Sequence, residues 1–228
     1  MVLMARDDHV FVTSTRRYAM GVDLGQAADY TAISVIEYAK EGTGEWKHPP
    51  RGGKGGIEIA EERYNLLYLE RVPLHTPYPD IVAHVAELLV RPPLAGKVEL
   101  VIDMTGVGRP VFDLFQDAGQ RPIGVSITAG TDENRKGSWR YNVSKQMLIS
   151  TLDAKLHTGE FRYAPTLENV SEFVGELVDF RRKVTAAGHA TWSHRTGAHD
   201  DLVLSCCLAL WWLARPRHVN KMIRIAGF

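Results

Sequence analysis

Two aspartates close short apolar runs in this chain, and two more open a long one. Asp23 follows Tyr18–Val22 in YAMGVDLG, Asp103 follows Val98–Ile102 in VELVIDMTG, and Asp200–Asp201 lead into the apolar stretch of HDDLVLSCCLAL. A carboxylate set beside a buried strand costs free energy unless something compensates it. Acids converging from three separate segments are compensated most simply by a divalent cation. The pattern therefore points to metal-dependent chemistry rather than to a plain structural domain.

The residues around these positions predict the architecture. Tyr18–Leu24 reads as a strand, Gly25–Tyr30 as a tight turn and Thr31–Tyr38 as a second strand. Lys40–Gly56 is polar and rich in Gly and Pro, which predicts a long exposed loop. Ile57–Val72 follows as a third strand, so the chain opens with an antiparallel meander. The period then changes. Pro79–Leu89 carries apolar residues at helical spacing (Ile81, Val85, Leu88, Leu89) behind Pro79–Asp80. Val98–Asp103 is a short buried strand, Arg109–Ala118 a helix ended by Gly119, and Ile123–Thr128 another strand. Val143–Leu156 and Leu167–Asp179 read as helices, Arg181–Trp192 as a hairpin about Ala187–Gly188, and Asp200–Ala214 as the closing helix. The expected fold class is α/β, a mixed central sheet with antiparallel first three strands and then parallel ones, flanked by helices. Ligand sites of such sheets lie at strand carboxyl ends, where Asp23 and Asp103 fall. Residues 1–17 read as an N-terminal arm, 18–214 as one domain and 215–228 as a basic tail.

Composition narrows the class less than the acids do. Lys plus Arg and Asp plus Glu each number 27, so the net charge is zero and global charge neither favours nor excludes nucleic acid. Cys206 and Cys207 are the only cysteines; adjacent in sequence and without zinc spacing, they read as small buried helix residues. Residues 1–17 lack the continuous apolar region of a secretory signal, and the longest apolar run, Leu202–Ala214, is too short to span a bilayer. A cytoplasmic location is expected.

Magnesium and manganese take oxygen ligands, commonly one or two carboxylates together with substrate phosphate. Two such ions about 4 Å apart stabilise both the attacking and the leaving oxygen of an in-line phosphoryl displacement. Asp23 at a strand end is the natural bridging ligand, with Asp103 flanking it on one side and Asp200 or Asp201 on the other. Each acid also has a structural reading. Asp23 and Asp103 precede turn residues, Asp200 is placed as a helix N-cap, and Asp201 favours the helix dipole. Three sites together are harder to explain that way.

The stretches GVDLGQAADYTAI, VIDMTGVGRPVFDLF, YNVSKQMLISTLDAKLHTGEF and ELVDFRRKV…GHATWSHRTGAHDDLVLSCCLAL, in this order, resemble the ribonuclease H-like nuclease domain of large terminase subunits of tailed bacteriophages. The resemblance spans Tyr18 to Ala214. It implies a ribonuclease H-like sheet and metal-dependent endonucleolytic cleavage of double-stranded viral DNA concatemers during genome packaging, with two Mg²⁺ or Mn²⁺ ions and water as nucleophile. By motif, Asp23 and Asp103 carry over as metal ligands. The third position falls on HDD, where Asp201 is favoured and Asp200 stands close behind. Full-length members of that family carry an ATPase motor ahead of the nuclease. No G-x-x-x-x-G-K-[ST] motif occurs here, since RGGKGG at Arg51–Gly56 lacks both spacing and hydroxyl. The chain is then an isolated nuclease domain or a separately encoded subunit, with the arm tilting the choice toward the subunit. Its implied partners are double-stranded DNA, a separate ATPase motor, a small terminase subunit and a portal, with no membrane.

Phosphate contacts need basic groups. Candidates are Arg135, Lys136 and Arg140, then Lys145 within the Val143 helix, then Arg181, Arg182 and Lys183, and His194, Arg195 and His199 ahead of the acidic pair. Lys145 stands out, because the resemblance covers YNVSK and a lysine near a metal site can hold phosphate. Trp139 and Trp192 read as DNA contacts or core, Trp211 and Trp212 as core or interface, and the tail cations Arg215, Arg217, Lys221 and Arg224 as a DNA or partner contact or a solvated end. Three other readings compete. An actin-like or sugar-kinase-like ATPase would use GVDLG and DMTGVG as phosphate loops but leaves HDD unexplained. A Holliday-junction resolvase would share the site and prefer branched DNA. A non-catalytic packaging subunit would keep the fold and not cut.

Overall fold

The computed structural model describes residues 5–6, 9–25, 29–48, 55–106, 108–187 and 199–216. In chain order the elements are β1 (Ala5–Arg6), β2 (His9–Val10), β3 (Thr15–Asp23), β4 (Thr31–Lys47), β5 (Gly56–Val72), α1 (Tyr78–Leu89), β6 (Val98–Asp103), α2 (Gly108–Asp117), β7 (Ile123–Thr128), β8 (Glu133–Arg135), β9 (Arg140–Ser144), α3 (Lys145–His157), β10 (Phe161–Tyr163), α4 (Val170–Ala187) and α5 (Asp201–Ala214). The strands make one mixed sheet in the order β1-β2-β5-β4-β3-β6-β7-β9-β8, with β10 paired beside β5. β3, β4 and β5 are an antiparallel meander. β6, β7 and β9 then extend it in parallel from β3. The α/β class with its antiparallel-then-parallel sheet is as expected.

Strand alternation sorts the side chains into two cores. From β3, Tyr18, Met20 and Val22 face one side, where they meet Leu100 and Ile102 of β6, Val85 and Leu88 of α1, and Phe115 of α2. Ala19 of β3 and Val101 of β6 face the other side, against α3, α5 and Phe173 of α4. By the same alternation Asp23 and Asp103 lie on the α5 side.

α5 is apolar on every face, the mark of a helix buried all round. Twelve of its 14 residues are buried. Burying one large aliphatic side chain contributes about 1.5–3 kcal/mol, so tertiary burial rather than helix propensity holds this helix, whose Val, Cys and Trp residues are mediocre helix formers. It runs antiparallel to β3: Asp201 begins near the Asp23 end, Ser205 lies over Gly21, and the Leu213 carbonyl accepts from Arg17 Nη1 at 3.3 Å. Among the described residues, no helix is long and apolar enough to cross a membrane.

The structure departs from the sequence expectations in four places. Most of the segment expected as a loop over Lys40–Gly56 is strand, because β4 runs to Lys47 and β5 begins at Gly56. This ribbon projects beyond the core, so it has no buried face to impose apolar alternation. Thr43 Oγ1 donates to the Ile59 carbonyl at 3.0 Å, and Trp46 packs edge-on against His9 and Phe11. The helix expected from Val143 starts at Lys145. Val143 and Ser144 finish β9, and Ser144 caps α3 by accepting from Met147 N at 3.1 Å. In place of a hairpin from Arg181, α4 continues to Ala187, and residues 188–198 lie outside the described residues. The short strands β8 and β10 fall below the length at which periodicity can be read.

Candidate metal centre at the carboxyl ends of β3 and β6

The parallel pairing of β3 and β6 ends at Val22 opposite Ile102, which brings the next residues, Asp23 and Asp103, side by side. Each carboxyl is affected directly by the other. Asp103 is 6% exposed, and its Oδ1 accepts from Thr105 N at 2.7 Å. Thr105 Oγ1 in turn accepts from Ile127 N at 2.7 Å, tying the turn after β6 to β7.

Burial pushes the Asp103 carboxyl up to about 6, against the opposing pull of the Thr105 hydrogen bonds and the Lys145 charge. Asp23 is held well above the usual carboxylate range, first by burial and then by the charges of Asp103, Asp200 and Asp201 in that order, with Lys145 opposing. These are carboxylates crowded in a low-dielectric place, so cations nearby are favoured.

HDD divides its two acids between two cations. Asp200 occupies the N-cap position of α5 but caps nothing with its side chain. Its Oδ2 instead accepts from Lys145 Nζ at 2.6 Å, with both side chains largely buried. Asp201 turns the other way, where Arg71 grips both of its oxygens, Nε to Oδ2 at 2.8 Å and Nη2 to Oδ1 at 3.2 Å. Arg71 Nη2 also donates to Glu176 Oε1, and Glu176 Oε2 accepts from Val203 N at 2.9 Å in the first turn of α5. Burial first, then the Asp201 charge, pushes the Glu176 carboxyl up to about 7, against the Val203 N–H and Arg71. Arg71 lies 5.2 Å from the centre of the Tyr30 ring, and Tyr30 meets His199 edge-on at 5.4 Å. His199 Nδ1 is 3.9 Å from Asp201 Oδ1, beyond hydrogen-bond reach.

Of the residues singled out from sequence, Asp23, Asp103, Asp200 and Lys145 therefore share one centre, with Asp201 and His199 beside it. Arg140 is not among them. It is exposed and begins β9 opposite Gly124, at the end of the strand remote from Lys145. Arg135 secures its own turn by donating to the Gly137 and Ser138 carbonyls. Trp139, 54% exposed, lines a cleft of about 370 Å³ with Leu89, Val90 and Arg121 at the amino ends of β6 and β7. Trp211 is core and donates to Glu133 Oε2 at 2.9 Å. Arg181, Arg182 and Lys183 belong to α4 by backbone, but their side chains, with Trp192, His194, Arg195 and residues 217–228, lie outside the described residues.

Two participants went unread in the sequence, Arg71 and Glu176. Arg71 is the penultimate residue of an alternating strand that otherwise looks like a solvated β-edge. Glu176 follows Phe173 by three residues on the face of α4 that Phe173 buries, and a lone acid on an apolar helical stripe is the signal that marks it.

Among the described residues, no three His, Cys, Asp or Glu side chains converge as a ready-made metal cage. The donor set nonetheless suits a hard cation. Two neighbouring carboxylates with a third nearby, all oxygen donors, match the one or two carboxylates through which Mg²⁺ usually binds. The Lys145 ammonium on Asp200 stands where positive charge is wanted. Cys206 and Cys207 are buried with their thiols pushed up by burial, so soft-metal thiolate ligation has no support. Comparison with known protein families, with curated proteins and with solved structures finds no match to this chain.

Proposed function

We propose that this protein is a Mg²⁺- or Mn²⁺-dependent endodeoxyribonuclease that cleaves double-stranded DNA, in the manner of the nuclease domains of phage large terminase subunits. The observation that carries the reading is the adjacency of Asp23 and Asp103 at neighbouring strand ends, with both carboxyls pushed upward and Asp200 and Lys145 beside them. Asp201 is held on both oxygens by the Arg71 guanidinium, whereas Asp200 shares the Lys145 ammonium with the acidic centre. Asp23 and Asp103 face each other at adjacent strand ends, with the Lys145 charge only partly offsetting the burial that raises both carboxyls.

In this reading Asp23 and Asp103 hold the cations and Asp200 is the third carboxylate, while Asp201 secures the turn. When bound, Mg²⁺ or Mn²⁺ would neutralise the clustered acids and stabilise charge on the attacking and leaving oxygens of an in-line displacement at phosphorus. Burial raises the proton affinity of Asp23 and Asp103, so a cation bound there would compete with protons. Lys145, if released from Asp200, would donate to a phosphate oxygen. A genome-packaging role, with a separate motor, small subunit and portal as partners, rests on the sequence resemblance.

The test is plasmid cleavage by the purified chain with Mg²⁺, Mn²⁺ or EDTA, beside Asp23→Asn, Asp103→Asn and Asp200→Asn. Cation-dependent cutting lost in all three supports the assignment. Cutting that survives Asp23→Asn removes the centre from consideration.

A further inference from the structure

The register of the meander puts four positions in one row across the sheet. Asp103 neighbours Asp23, Asp23 is paired with Ala32, and Ala32 is paired with Arg71. All four lie on the side covered by α5. With neighbouring strands about 4.8 Å apart, Arg71 stands on the order of 10 Å from Asp23 along this row. Ala32, fully buried, leaves the room between them that the start of α5 fills. Asp200 and Asp201 straddle that gap, one turned to Lys145 and the Asp23 side, the other to Arg71.

A helix start is loosely determined, because its first N–H groups have no intrahelical partner. Here the usual remedy is absent, since Asp200 makes no capping bond. Its place is taken by Glu176 from α4, which accepts from Val203 N, and by Arg71 from β5, which grips Asp201 and Glu176 together. Planar, bidentate recognition of a carboxylate is what a guanidinium does and an ammonium cannot. With both Asp201 oxygens engaged, rotation of the turn that would exchange Asp200 for Asp201 at the acidic centre is blocked.

We propose that Arg71 is the positioning residue of the metal centre: by clamping Asp201 and Glu176 it sets the first turn of α5 so that Asp200 faces Asp23 and Asp103. This rests on the proposed metal site. The sign of one effect separates positioning from plain electrostatics. Arg71 carries positive charge near a cation site, so by charge alone its removal would tighten cation binding. Loss of a positioning contact weakens binding instead, commonly by about 10–100-fold.

The experiment is calorimetric titration of Mn²⁺ into the full chain for wild type, Arg71→Gln, Arg71→Lys and Asp200→Asn, with thermal unfolding of each apo protein recorded alongside. The expected result is binding by wild type and none by Asp200→Asn. Affinity should be at least about tenfold weaker in Arg71→Gln and partly restored in Arg71→Lys. Equal or tighter binding by Arg71→Gln overturns the inference and leaves the metal site standing. Absence of binding by wild type overturns the metal site and this inference with it. Should Arg71→Gln not fold, Arg71→Lys, which keeps the charge and loses the fork, decides alone: affinity equal to wild type overturns the proposal, and a weaker one supports it.

Discussion

Lys145 Nζ lies 2.6 Å from Asp200 Oδ2, joining the first residue of α3 to the residue just before α5. The lysine occupies the acidic centre as a competing cation, so Lys145→Met should ease metal entry while removing a phosphate donor. Mn²⁺ affinity is expected to rise a few-fold, on the scale of a partly screened charge. Cleavage should fall by roughly 10–100-fold, the worth of a charge-assisted hydrogen bond of about 1.5–3 kcal/mol. Calorimetry and plasmid cleavage on the same preparation check both. Unchanged cleavage would make Lys145 a structural counter-ion only.

Asp23 and Asp103 repel each other when ionised, and removing either charge should stabilise the metal-free protein. Asp23→Asn and Asp103→Asn are each expected to raise unfolding free energy by about 1–2 kcal/mol at pH 7.5 in EDTA, as urea melts would measure, while the Mn²⁺ response disappears. Such a gain of stability with loss of function marks acids kept for chemistry. A loss of stability in both variants would mark them as structural.

The same groups set a pH dependence. The Asp103 carboxyl is raised from 3.8 to about 6, so between those values the folded state keeps a proton that the unfolded chain has released. The metal-free protein therefore loses this contribution to stability as pH climbs from about 4 to 6. Asp23, raised by the same burial, and Glu176, raised to about 7, act in the same direction. A cation bound at the proposed centre would compete with the proton for Asp23 and Asp103. The rise in melting temperature on adding Mn²⁺ should be small at pH 5 and grow toward pH 7.5, and a flat response would place the cation elsewhere.

Much of this centre could be read before any coordinates. The parity of Tyr18, Met20 and Val22 against Ala19 and Gly21 already sets Asp23 on the face opposite the bulky residues, whereas β6 is apolar on both faces and its parity alone does not place Asp103. The all-apolar run after HDD already requires a buried helix. Three things were not legible. The division of labour between Asp200 and Asp201 depends on which cation each meets, and Arg71 is 130 residues away from its partner. Glu176 carries only the faint signal of an acid on the stripe set by Phe173, and helical spacing alone does not say that a second buried helix lies over it. The ribbon from Gly42 to Lys47 was hidden for the opposite reason. It is held by backbone pairing beyond the core, and no apolar alternation records it.

Gly21 has a steric role that fixes how closely α5 approaches β3. A Cβ added there would lie 2.0 Å from the Ser205 carbonyl oxygen and 3.1 Å from Ala209 N, both backbone atoms of a helix already packed on its other sides. The helix cannot yield locally, so Gly21→Ala should destabilise by at least about 1–3 kcal/mol, the usual cost of overpacking. It should also weaken Mn²⁺ binding, because Asp200 is carried on the displaced end of α5. Gly175 on α4 provides the contrast. A Cβ there meets nothing within 4 Å, and the position is exposed and helical. Gly175→Ala is expected to stabilise by about 0.5–1 kcal/mol through helix propensity, with metal affinity unchanged. Thermal unfolding and Mn²⁺ titration of the two variants side by side make the comparison. A Gly21→Ala protein as stable as wild type would mean that α5 does not sit against β3 as described, and the placement of Asp200 beside Asp23 would fall with it.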